Sequence, residues 1–451
     1  MTHHNNQFVQ TRRISIISRA AVLVGLAAGF APLAAAKPPE QSDAEASLQD
    51  NVVPSGIVSP QRPIPAEPVT PSAEGGPDQS IFGRDTLTGN WWGARTKLEE
   101  MGIIPAASFT SDSAMNFRGG QNTEGSSFLH LTDVNLTLLP PFLPFEGSTI
   151  FLSFQTVNGT SASEDVGDLS GVSTLDSEGR TQLSEIWYQQ MLADGRFGFT
   201  IGKIDAGSVF GIVDPEGYFL NSRIGFQDSQ PLPTYPDPSF GGYITFKPEE
   251  TLTVDAGIFD GAYQEDVRTG NLGPKTLFDD PSDLYTVAQV TWNTTDKLTL
   301  GGGGWYHTGT FADQFGNDQD GAYGAYIHGY YQLCKELPDD ENDNQGLALF
   351  AHYAYADPTA SDVPHHIGAG ALWVGALPGR DSDVAGFGIT TLLLRDGPEF
   401  SDGNETAYEL FYKIQLTPYL SIQPDLQYVS NPGGNGASDA IVGTIRLSVD
   451  F

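Results

Sequence analysis

The final eleven residues, IVGTIRLSVDF, alternate without a break. Ile441, Ile445, Leu447, Val449 and Phe451 fall on one side, with Thr444, Arg446, Ser448 and Asp450 on the other. Two preceding segments repeat the pattern. Tyr408, Leu410, Tyr412, Ile414 and Leu416 alternate with Glu409, Phe411, Lys413 and Gln415, and Leu420, Ile422, Leu426 and Tyr428 alternate with Ser421, Gln423, Asp425 and Gln427. Every charge in the three segments lies on one face. A soluble sandwich also alternates, with its charged face in water, so the pattern defines strands before it defines their surroundings.

Connection lengths decide between the two settings. Short turns are predicted near Leu139–Pro144, Leu192–Gly195, Lys247–Glu250, Asn293–Lys297, Leu377–Asp383 and Thr417–Pro418, with a longer acidic one at Lys335–Gln345. Polar loops separate them near Gly119–Gly125, Val157–Arg180, Asp205–Pro238, Gly261–Pro281, Gly309–Gln319, Asp357–Val363, Asp396–Asn404 and Ser430–Asp439. Short turns at one rim and long loops at the other mark a transmembrane β-barrel. Seven turns and eight loops join sixteen strands. The expected fold is therefore all-β: an antiparallel transmembrane barrel spanning 105–451, with uncharged faces toward lipid. Sixteen strands leave a water-filled lumen. Pro424 cannot donate a ladder hydrogen bond, so a bulge or loosening is expected there.

Ahead of the barrel, Arg12, Arg13 and Arg19 precede an apolar run and the small residues Ala34–Ala36. Residues 1–36 read as a secretory signal, too short to span a bilayer as a helix. Residues 37–80, rich in Pro, Ser, Ala and Glu, read as a flexible periplasmic lead. Residues 81–104 contain TLTGNWWGARTKLEEMGI, in which Asn90 is expected to cap a short helix ending at Gly102. It would pack on the barrel rim or act as a gate.

The chain of 451 residues carries 22 Lys and Arg against 56 Asp and Glu, which makes nucleic acid a poor partner. Cys334 is the only cysteine, so no internal disulfide is available. The histidines at 307, 328, 352, 365 and 366 match no zinc spacing and read as scattered inner-face residues. DQFGNDQDGAY departs from a calcium loop at its glycine and terminal acid. No cofactor is expected, and GGGG at 301–304 reads as a strand segment rather than a phosphate cradle.

Three stretches resemble the OprB family of carbohydrate-selective porins: LTGNWWGARTKLEEMGI, GALWVGALPGRDSDVAGFGI and ETAYELFYKIQLTPYLSIQPDLQYVSNPGG. The resemblance covers roughly Thr86 to Phe451 and departs in its WWG and in the longer lead. It implies a sixteen-stranded channel in the outer membrane of a Gram-negative bacterium. The implied permeants are glucose and other sugars, passing an eyelet of arginines, acids and aromatics. It also implies that Phe451 carries the signal read by barrel-assembly machinery, with lipid and lipopolysaccharide around the wall. Homotrimer and monomer both stand, since nothing in the sequence fixes a subunit contact.

A sugar-selective pore needs charged hydrogen-bonding groups for hydroxyls and an aromatic face for the ring. In SEIWYQQ, the lipid-facing Ile186 and Tyr188 leave Glu185 and Trp187 for the lumen, with Trp187 as sugar platform or wall packing. Arg118 follows Asp112 and Asn116 on the inner face of the first strand. Glu409, Asp425 and Arg446 line the last three. These six are the candidate substrate-binding residues. Trp305 and His307 share an inner face, and Arg223 and Arg268 lie in loops able to fold inward. Two alternatives remain: a general diffusion porin for small polar solutes, and an outer-membrane enzyme with a Ser/His pair, for which no convincing pair is present.

Overall fold

The computed structural model describes residues 80–123, 125–212, 217–225, 229–265, 267–277, 282–295, 297–313, 315–337 and 345–451. The expected signal and most of the expected lead lie outside the described residues. Sixteen strands follow in chain order. They are β1 (Ile103–Gly120), β2 (Ser126–Leu138), β3 (Ser148–Gly159), β4 (Arg180–Leu192), β5 (Phe197–Ile204), β6 (Ser239–Glu249), β7 (Leu252–Asp260) and β8 (Leu284–Thr295). The second half comprises β9 (Leu298–Ala312), β10 (Asp318–Lys335), β11 (Gly346–Ala356), β12 (His365–Val374), β13 (Val384–Leu393), β14 (Asn404–Thr417), β15 (Leu420–Ser430) and β16 (Ser438–Asp450).

Each strand pairs with its sequence neighbour, and β16 pairs with β1 to close the sheet. The seam runs antiparallel from Ser108 opposite Asp450 to Asn116 opposite Val442. Closure leaves no unpaired edge, as a membrane-spanning sheet requires. The two faces separate as the alternation demands. Leu410, Leu426 and Ile445 are exposed on the outside, while Glu409, Gln427 and Arg446 are buried inside. Each of the seven expected turns and eight expected loops falls on a connection between consecutive strands. Pro424 produces no bulge. Pairing between β14 and β15 stops at Phe411–Asp425 and resumes at Ile414–Ile422 in the same register, so the missing N–H costs a local gap in one ladder.

The helix α1 (Ala94–Glu100) starts later than expected. Trp91 and Trp92 take positive φ values of 49° and 57°, and Gly93 follows at 88°. Asn90 nevertheless does its capping work, because its Oδ1 accepts from the Thr96 N–H and hydroxyl, both at 3.0 Å. Trp92 is left fully exposed. At the other end Gly102 has φ 77°, and a Cβ there would sit 2.2 Å from the Leu139 carbonyl oxygen. Only glycine lets α1 turn directly into β1 against that connection. In β9, Gly301 and Gly303 leave room for two rings: a Cβ would meet the His328 Nε2 at 1.8 Å and the Tyr326 hydroxyl at 2.6 Å.

The lumen is not an open tube. Described residues of connections 160–179 and 205–238 bury apolar side chains against the inner wall, while 261–283 is tied to it by polar contacts, Gly261 with His307 and Gly270 with Lys203. Phe219 meets Phe350 and Phe411 edge-on, with centroids 5.4 and 5.1 Å apart. Val166 and Val172 pack with Ala407, Val429 and Val442. Phe210 and Leu232 join Trp187, Phe259, Tyr285, Trp305 and Tyr326.

Candidate functional site

Two glutamates on the inner face of β14 position the loops. Glu405 accepts from the backbone N–H groups of Leu169 (2.8 Å), Ser170 (2.7 Å) and Gly433 (2.6 Å). Glu409, two strand repeats away on the same face, accepts from Leu220 and Asn221 N–H, both at 2.7 Å. A carboxylate is the natural anchor here, since hydrogen bonds to a charged group are roughly twice as strong as neutral ones. Side chains of β15 complete the attachment. Gln427 donates to the Val172 carbonyl at 2.8 Å, and Gln423 donates to the Tyr218 carbonyl at 2.9 Å.

Arg446 forms a two-pronged pair with Asp112 across the β1–β16 seam, with both N–O distances 2.7 Å. Its Nη2 also donates to the Thr174 hydroxyl at 3.0 Å, and Ser173 donates to Asp112 at 2.6 Å. The pair thus grips the 160–179 loop as well as the seam. Asp425 stands beside Glu409 and Arg446. One of its oxygens accepts from Gln427 at 3.1 Å, and its carboxyl group lies against that of Glu409. Lys413 lies over the Tyr218 ring at 5.6 Å.

The opposite wall uses the same logic. Glu185 accepts from the Asp205 backbone N–H at 3.0 Å and from the Trp187 indole at 3.2 Å. Trp187 is buried and stacks on Phe151 with centroids 5.1 Å apart. Its ring is packed into the wall with one face against Phe151. Asp205 starts the long loop and ties its ends together, accepting from Gly207 N–H (3.0 Å), the Thr234 hydroxyl (2.6 Å) and Tyr235 N–H (3.2 Å). Burial raises the Asp205 pKa, and those hydrogen bonds oppose the rise. In the neighbouring loop, burial pushes Asp168 up to about 7, with repulsion from Glu405 and Asp176 acting in the same direction.

Five of the six candidates, Glu185, Trp187, Glu409, Asp425 and Arg446, do face inward and are buried. The sixth, Arg118, does not share their face. A register irregularity after Asn116 pairs Arg118 with Ile441, on the outward set of β16, and leaves it exposed near the rim beside Asp439. Strict alternation carried past the bulge gave the wrong face. Arg223 lies in an inward loop, and its carbonyl accepts from Thr390 at 3.2 Å. Arg268 remains half exposed, paired with Glu178. Trp305 and His307 are buried inside, whereas His365 stacks on the outward Tyr353.

Sequence reasoning missed the anchoring role. It also missed Glu405 and Lys203, whose ammonium donates to the carbonyls of Leu183 (2.7 Å) and Gly270. A signal was present: Phe219, Leu220 and Ile224, like Val166, Val172 and Leu175, are apolar residues in segments read as exposed loops, and Phe411 is an apolar residue on a polar face. Each marks one half of a contact.

Comparisons with known proteins agree with this architecture. Residues 146–451 match the family described as carbohydrate-selective porin, OprB family. Porin B of Pseudomonas aeruginosa is 22% identical over 81% of this chain and 91% of its own length. A putative porin, QuiX, of Acinetobacter baylyi is 21% identical over 82% of this chain and 93% of its own. Among solved structures, OprB of Pseudomonas putida at high pH superposes with a TM-score of 0.73 at 19% identity, covering 83% of this chain and all of that one. Its low-pH structure gives 0.55 at 16% identity over 82% of this chain.

Proposed function

Because the chain belongs to the OprB family of carbohydrate-selective porins, we propose that it admits small sugars passively through a loop-narrowed lumen in the outer membrane. The observation that carries the reading is the closed sixteen-stranded barrel with two connections, 160–179 and 205–238, drawn inward by buried apolar side chains. A neutral, hydroxyl-rich solute exchanges hydrogen bonds with such a lining at little net cost, and weak multi-site binding lets it leave again. In this reading Glu409, Asp425 and Arg446 set the shape and charge of the constriction, and Glu185 and Trp187 shape it from behind the loop. We read the chain as a conduit and not an enzyme, on the strength of its family.

The remaining parts follow the same reading. Residues 1–36 direct export, residues 37–80 lie in the periplasm, and Phe451 presents the assembly signal. Lipid and lipopolysaccharide surround the outer face. Sedimentation in detergent separates homotrimer from monomer.

Liposome swelling tests the proposal. Glucose is expected to enter faster than an amino acid of similar size. Equal rates would favour a general diffusion porin and remove the selectivity. Hydrolysis of a lipid ester by purified protein would reopen the enzymatic alternative.

A further inference from the structure

We propose that the turn-side half of the lumen holds a separate low-affinity station for a monosaccharide, on a row of short polar side chains below the Arg446–Asp112 pair. This rests on the sugar-channel reading. Register builds the row: Gln415 stands opposite Ser421, Ser421 opposite Ser448, and Ser448 opposite Thr110. An amide and three hydroxyls on β14, β15, β16 and β1 thus follow one another around the inner wall. Paired strands lie about 4.8 Å apart, a spacing on the scale of the hydroxyls around one sugar ring. Lys413, Asp450 and Tyr419 border the row, and the seven side chains line one crevice of the inner wall, about 10 Å³ in volume, over whose mouth a sugar ring would lie.

What separates this pocket from the constriction is the state of its polar groups. Two residues further along the same strands, or about 7 Å, Arg446 and Asp112 are fully engaged with one another and with the loop. In the pocket, among the described residues, no side chain or backbone group hydrogen-bonds to the hydroxyls of Thr110, Ser421 or Ser448 or to the Asp450 carboxylate. Gln415 gives its amide N–H to the Thr417 carbonyl at 2.7 Å, with the Pro418 and Leu420 carbonyls at 3.3 and 3.4 Å. Lys413 lies over the Tyr218 ring and is attracted by the Asp450 charge across the row, with no ion pair closed between them among the described residues. A cation and an anion at opposite edges, with hydroxyls between, disfavour a solute of either charge and suit a neutral polyol.

The test uses the full chain with Cys334→Ser to remove the exposed native thiol. Ser448→Cys and, separately, Thr110→Cys are introduced and reacted with a small water-soluble thiol reagent. Glucose is expected to slow modification at both positions at least about threefold at saturation, as occupancy of a weak site requires. Glycine at equal osmolality is expected to leave the rate unchanged. Mannitol, a linear polyol, separates recognition of the ring from recognition of hydroxyls alone: protection by mannitol equal to that by glucose would overturn the monosaccharide assignment. In planar bilayers, Lys413→Met is expected to weaken glucose block of the current at least about tenfold, as loss of one charge-assisted hydrogen bond implies. Unprotected thiols at both positions with glucose still entering liposomes would overturn the station and leave the channel reading intact. Failure of glucose to enter at all would overturn both.

Discussion

Glu409 uses both carboxylate oxygens on backbone N–H groups of a loop that its own strand never touches in sequence. Hydrogen bonds to a charged acceptor contribute roughly 1.5–3 kcal/mol each, so Glu409→Ala should release residues 220–221 at a cost on the order of a few kcal/mol. A larger and noisier single-channel current is expected, with Glu409→Gln in between because an amide oxygen still accepts. Conductance and noise identical to the native channel would show that the loop is held by packing alone. Asp168 supplies a pH dependence. Its folded pKa, raised to about 7 by burial and by the neighbouring Glu405 and Asp176, exceeds the ordinary value of 3.8. A raised carboxyl stabilises the fold only while protonated. Its contribution is complete below about pH 4 and is lost as pH rises toward 7. Protection of the 160–179 loop against hydrogen exchange, corrected for the intrinsic rate, should therefore fall across that window, and Asp168→Asn should flatten the change. A loop whose protection is the same at pH 5 and pH 8 in the native protein would contradict this.

At the scale of elements, α1 works as a latch on the barrel seam. Arg95 donates to the Phe451 carbonyl at 2.7 Å and to the Thr86 hydroxyl, and it lies over the Trp91 ring at 4.8 Å. Leu87 N–H reaches the Asp450 carbonyl at 2.8 Å, while Phe451 N–H reaches Ala107 at 2.9 Å. The segment before the barrel thus grips the last strand against the first. Arg95→Ala should cost about 2 kcal/mol and lower the temperature at which the folded band disappears in a detergent gel, with conductance unchanged. An unaltered melting temperature would mean that strand pairing alone secures the seam. The strands were legible because a period of two and the turn chemistry are local properties, each readable in a window of ten residues. The latch was not, because it joins residues 95 and 451. The same holds for the loops: Phe219 and Phe411 are separately visible as misplaced apolar residues, but only the closed barrel brings them together. Helix α1 was placed correctly and started too early, since the left-handed Trp91 and Trp92 have no signature in composition.

For the whole molecule, the same anchors determine the field that an ion meets. After the expected signal, 19 basic residues face 56 acidic ones. Asp112 is paired with Arg446, but Glu405, Glu409 and Asp205 are satisfied by neutral N–H and hydroxyl groups. Such bonds stabilise a carboxylate without cancelling its charge, and low-dielectric walls focus the field of whatever remains. A neutral sugar is indifferent to that field; a small ion is not. The open channel should therefore prefer potassium over chloride in the reversal potential measured across a KCl gradient. Screening sets the conditions: the Debye length is about 10 Å at 0.1 M and 3 Å at 1 M, so the preference should shrink as salt is raised. It should also strengthen between pH 5 and pH 8 as the raised Asp168 carboxyl ionises. A reversal potential of the opposite sign at low salt and neutral pH would place the uncompensated acids away from the conducting path, on the rims, and would make the lysine and arginine side chains of the lumen the groups an ion senses.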